Sequence, residues 1–106
     1  MKSNLKVVQP SGIFDGTKAI QFRQEITRVV ENAEIVVIDF KNVTFMDSSG
    51  LGTLVLCLKT VKAAGSKLFL CSINEQIRML FDLTSMDKIF EIFPNREELE
   101  QKIINS

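Results

Sequence analysis

Asp47-Ser48-Ser49-Gly50-Leu51-Gly52 sets two adjacent hydroxyls beside a carboxylate, where extended chain gives way to an apolar-periodic helix. The first residues of a helix carry N–H groups without intrahelical partners, at the positive end of the helix dipole. An anionic group such as a phosphate is favoured there. The chemistry this suggests is reversible phosphorylation of one serine, with the chain acting as a protein-binding switch rather than an enzyme. Ser and Asp are also preferred helix caps. Taken alone, the hexapeptide therefore also reads as a capped strand-to-helix turn, its glycines permitting a tight bend and close packing.

Other chemistry is scarce. The sequence contains no histidine, which removes Ser-His-Asp and Cys-His nucleophile arrangements. Gly50-Leu51-Gly52 is followed by Thr53-Leu54-Val55, with no lysine of the kind a phosphate-binding loop needs and no third glycine of a dinucleotide fingerprint. Gly65-Ser66-Lys67 has no upstream glycine partner and precedes a strand-like run, so it reads as a turn. Cys57 and Cys71 form no CxxC pair. They read as small buried hydrophobes in a reducing compartment, and no metal or other cofactor is expected.

The serines are positioned by the elements around them. Residues 5–10 read as a first strand, and Ser11-Gly12-Ile13-Phe14-Asp15 as a short second extended piece after a Pro/Ser/Gly turn. Ile20, Phe22, Ile26, Val29 and Val30 mark an amphipathic helix. Residues 35–40 are almost wholly apolar and β-branched, as expected of a strand buried on both faces. An extended segment, Val43-Thr44-Phe45-Met46, leads into the serines. The helix over 49–64 then repeats Leu51, Leu54, Val55, Leu58 and Val61, and Gly65 is suited to cap its end. Leu68-Phe69-Leu70-Cys71 reads as a strand. Ser72 or Asn74 caps a third helix, 89–93 is a short strand, and a last helix follows Pro94 with Leu99, Ile103 and Ile104 inward. Alternation of this kind predicts an α/β fold. We expect a single domain over 1–106, with a mixed, mostly parallel sheet of about five strands covered by about four helices.

The bulk numbers narrow the partners. Thirteen basic and thirteen acidic residues cancel among 106, which disfavours nucleic acid as the main partner. The start Met1-Lys2-Ser3-Asn4 shows no secretory pattern, and no run approaches the roughly 20 apolar residues of a membrane span. A cytoplasmic protein is the expectation.

Phe45-Met46-Asp47-Ser48-Ser49-Gly50-Leu51-Gly52, just after the strand at 35–40, resembles the signature of the STAS domain, and more narrowly of the stand-alone bacterial anti-sigma-factor antagonists. Ser11-Gly12-Ile13-Phe14-Asp15 is similar to the segment before the first helix in that family. Lys67-Leu68-Phe69-Leu70 and Ile77-Arg78-Met79-Leu80-Phe81-Asp82-Leu83-Thr84 are similar to later stretches. Phe14 replaces a more usual leucine, and Ser85-Met86 stands where many members carry Gly-Leu. The resemblance implies partner switching. The unphosphorylated form binds an anti-sigma factor that is also a serine kinase, phosphorylation releases it, and a serine phosphatase resets it. It implies Ser49 as phosphoacceptor, with Ser48 the alternative. Asp15, Met46, Asp47, Ser48, Gly50 and Leu51 are expected beside the switch or against the partner. The alternative is a STAS-like cytoplasmic subunit of a membrane transport complex; a nucleotide-binding role ranks last, for want of a phosphate-binding lysine.

Overall fold

In the computed structural model, which describes residues 4–104 (the last by its backbone alone), six strands and four helices alternate along the chain. They are β1 (Leu5–Val8), β2 (Ser11–Phe14), α1 (Ala19–Val29), β3 (Ile35–Asp39), β4 (Asn42–Met46), α2 (Ser48–Ala63), β5 (Lys67–Cys71), α3 (Glu75–Leu83), β6 (Ile92–Phe93) and α4 (Arg96–Ile104). The inward face expected of Ile104 lies outside the described side chains.

The α/β class, the four helices and the parallel character agree with the sequence; the division of the strands does not. A four-stranded sheet has the order β1-β3-β5-β6, and β2 and β4 form a separate two-stranded sheet. Every pairing among the described residues is parallel. The β1–β3 register ends at Val8↔Ile38 and pairing resumes as β2–β4 at Ser11↔Asn42. The second sheet therefore continues the first past a shared bend. Pro10 provides that bend on one side, since it donates no ladder bond. On the other side Phe40 ends the β3–β5 ladder, its N–H donating to the Cys71 carbonyl at 3.0 Å, and the chain turns there, with the Val43 N–H donating to the Phe40 carbonyl at 3.0 Å. The run at 89–93 likewise yields only a two-residue strand, because a 3-10 turn at Met86–Lys88 precedes it.

The uninterrupted apolar run of β3 is explained by burial on both faces. Val36 and Ile38 join the main core with Phe22 and Ile26 of α1, Leu54 and Cys57 of α2, and Ile77 and Phe81 of α3. Val37 faces a smaller cluster with Cys71 and Leu99 of α4. Each fully buried aliphatic side chain contributes about 1.5–3 kcal/mol. Phe14 is part of this core, packed edge-on against Phe22 at 5.0 Å and Phe40 at 5.8 Å between ring centroids. Cys57 and Cys71 are free and buried, and burial pushes their thiols up to about 12 and about 11. Asn74 rather than Ser72 caps α3, accepting from the Ile77 N–H at 2.9 Å.

Candidate functional site

The serines stand on the first turn of α2. Asp47 has extended backbone angles and caps the helix, its Oδ1 accepting from the Gly50 N–H at 2.9 Å. The first backbone bond of the helix follows, Leu51 N–H to the Asp47 carbonyl at 3.0 Å. Ser48 and Ser49 come before that bond, and both are exposed. The Ser49 carbonyl accepts from the buried Thr53 hydroxyl at 3.1 Å, which ties this turn to the next.

Gly50 is where the turn meets β2. A Cβ on Gly50 would lie 2.1 Å from the Phe14 carbonyl oxygen and 2.9 Å from the Phe14 ring. Only a residue without a side chain allows this approach. Gly52 differs: nothing lies within 4 Å of a Cβ built there. The chain after Phe14 forms a second capped turn. Asp15 Oδ1 accepts from the Thr17 N–H at 3.0 Å and the Thr17 hydroxyl at 2.6 Å, opening the 3-10 turn Gly16–Lys18. The Thr17 hydroxyl, helped by the nearby Lys18 charge, holds the Asp15 carboxyl below its ordinary value of 3.8. Gly16 in that turn lies against Ser49, with a built Cβ 3.3 Å from Ser49 Cβ. Two aspartate-capped turns thus meet around one serine.

A STAS domain family model matches residues 2–99. The chain belongs to the STAS domain family. It is 30% identical over 91 residues to an anti-sigma F factor antagonist of Paenibacillus polymyxa, covering 84% of this chain and 78% of the relative. It is 33% identical over 90 residues to an anti-sigma-B factor antagonist of Bacillus subtilis, covering 85% and 83%. In fold it is similar to the anti-sigma factor antagonist SpoIIAA in its unphosphorylated form, with TM-score 0.75 at 19% identity over 95% of this chain and 90% of that one. A phosphorylated form of SpoIIAA gives TM-score 0.68 at 19% identity over 95% and 94%.

Within this STAS domain, three residues expected beside the switch or against a partner, Met46, Gly50 and Leu51, do not reach the surface. Met46 is wholly buried and Leu51 is 5% exposed. Leu51 lies with Leu54 on the buried face of α2; for Met46 the reason is a register shift between Gly12 and Ile13, where Gly12 pairs with Val43 but Ile13 pairs with Phe45. Simple alternation from the buried Val43 would turn Phe45 inward and Met46 outward. The bulge reverses this. Ile13 and Phe45 lie side by side and are 52% and 45% exposed. Gly12, at φ +73, takes the left-handed conformation at the shift.

Gln76 of α3 is a residue that sequence reasoning missed. Its Oε1 accepts from the Met46 N–H at 2.9 Å, and its Nε2 donates to the Met46 carbonyl at 2.8 Å. Asn74 Nδ2 donates to the Thr44 carbonyl at 3.2 Å. The side chains that begin α3 thus occupy the outer edge of β4 in place of another strand. Gln76 fixes the backbone one residue before Asp47. No local pattern announces a contact that spans 30 residues.

Proposed function

We propose that this STAS domain is an anti-sigma-factor antagonist switched by serine phosphorylation. Its unphosphorylated form binds an anti-sigma factor that is also a serine kinase, in the cytoplasm. Phosphate on Ser49, with Ser48 the competing acceptor, ends that complex, and a serine phosphatase restores it. The observation that carries the reading is the pair of exposed hydroxyls on a helix turn whose backbone is already fixed by the Asp47 cap and by Gly50 packed on Phe14. Phosphate adds about −1.5 to −2 charges and strong acceptor oxygens. The amides at the helix start tolerate that charge in the free protein, so the fold need not change. Against a packed partner the same charge must be desolvated or must face acids, and the complex fails. The exposed pair Ile13 and Phe45 supplies apolar surface on the sheet that leads into this turn. The names of the curated relatives favour this reading over a transport-complex subunit.

The test is incubation with ATP in an extract of the source organism, comparing wild type, Ser48→Ala and Ser49→Ala. The tryptic peptide 42–59 is then read by tandem mass spectrometry. Phosphate on Ser49 that only Ser49→Ala removes is the expected result. An unphosphorylated protein in an extract with active kinases would overturn the switch and leave Asp47-Ser48-Ser49 as a helix cap.

A further inference from the structure

Gly16 is not required by its backbone conformation: the glycines with positive φ are Gly12 and Gly65. What distinguishes Gly16 is its neighbour. A Cβ there would lie 3.3 Å from Ser49 Cβ and 3.7 Å from Ser49 Oγ, and apart from its own chain neighbours nothing else stands within 4 Å. The shorter distance is tighter than nine in ten real Cβ contacts, so one side would have to yield. Neither has slack. Ser49 is held by the Asp47 cap on one side and by the Gly50–Phe14 approach on the other. The turn carrying Gly16 is held by the two Asp15–Thr17 bonds. Gly16 is itself exposed, so a longer side chain would start at the protein surface from a Cβ 3.7 Å from the Ser49 hydroxyl. Ser48 contributes no atom within 4 Å of the same position.

We infer that Gly16 is a specificity-determining residue for modification at this turn: its bare backbone keeps Ser49 reachable, and a side chain there would screen Ser49 while leaving Ser48 open. The inference rests on the phosphoacceptor reading above and adds what keeps Ser49 open to modification. A side chain beside Ser49 would hinder a kinase and a small reagent alike, since both must approach the same atom.

The test separates access from phosphorylation. Ser49→Cys and Ser48→Cys each place a thiol at the turn, and the native Cys57 and Cys71 are buried. Each variant is made with Gly16, Gly16→Ala and Gly16→Val. Native-state alkylation by iodoacetamide is followed by tandem mass spectrometry, with circular dichroism and thermal melts to establish folding. The expected result is a graded fall in labelling at position 49, roughly tenfold for Gly16→Val, equivalent to about 1.4 kcal/mol. Labelling at position 48 stays unchanged. If Gly16→Val does not fold, the Gly16→Ala pair carries the comparison. Equal rates at position 49 in folded variants would overturn the inference, as would an equal slowing at both positions. In extract, Gly16→Val should also shift phosphate from Ser49 toward Ser48. A wild type that takes no phosphate would defeat the phosphorylation reading, while the alkylation rates would still decide whether Gly16 governs access.

Discussion

Gly50 and Gly52 lie two residues apart on the same helix, and alanine should have opposite effects at the two positions. A Cβ at Gly50 meets the Phe14 carbonyl oxygen at 2.1 Å, short of the 3.4 Å of ordinary contact by about 1.3 Å. The obstacle is backbone, which cannot swing aside as a side-chain tip can. Either β2 or the start of α2 must move, and Phe14 carries the edge-on packing against Phe22 and Phe40. Overpacking costs about 1–3 kcal/mol, and an immovable neighbour puts Gly50→Ala at the upper end. The helix-propensity gain of alanine over glycine offsets at most about 1 kcal/mol. The net loss is about 2 kcal/mol, a fall in Tm of roughly 10 °C for a domain of this size. Gly52→Ala meets nothing within 4 Å, so the propensity gain stands alone and raises stability by up to about 1 kcal/mol. Urea unfolding and calorimetry of both variants measure the contrast. A Gly50→Ala protein as stable as wild type, or two glycines responding alike, would refute the close-approach argument.

Gln76→Ala removes both bonds to the Met46 backbone and should cost about 1–3 kcal/mol, with faster hydrogen exchange at the Met46 amide by NMR. The Asp15 carboxyl should titrate below 3.8 in carboxyl-detected NMR, chiefly through the Thr17 hydroxyl, and Thr17→Val should move it back up. A depressed folded-state value means that its stabilisation is present above the unfolded value and lost as pH falls through the folded one. Unfolding followed at acid pH should therefore show a shallower loss in Thr17→Val. Replacing Ile13 and Phe45 together by serine should change stability by no more than about 0.5 kcal/mol each, since both are exposed. It should nevertheless weaken capture of the anti-sigma factor proposed as partner, measured by titration calorimetry; undiminished affinity would remove these residues from the proposed partner surface.

Most of the scaffold was legible because it follows from local periodicity. The three- and four-residue spacing of Leu51, Leu54, Leu58 and Val61 forms a helix in nearly any context, and that helix spans Ser48–Ala63. The β-branched run at 35–40 signals a strand covered on both faces, and Val36 and Val37 are buried in different clusters. The cap is local as well: Asp47 reaches the Gly50 N–H three residues on, a spacing that the motif itself contains.

What the sequence determined by itself was thus the order of the elements, the capped turn and the pair of serines, because each depends on residues within a few positions of one another. Tertiary structure decided which side chains meet around them. The one-residue register shift at Gly12 and Ile13 turned Met46 inward and Phe45 outward. The Phe14 carbonyl made Gly50 obligatory while leaving Gly52 free, and Gly16 came to rest on Ser49 from 33 residues earlier in the chain. These outcomes depend on pairing and close packing between distant segments. A shift of one residue in a strand reverses a face, and a missing methyl group decides whether two backbones can touch.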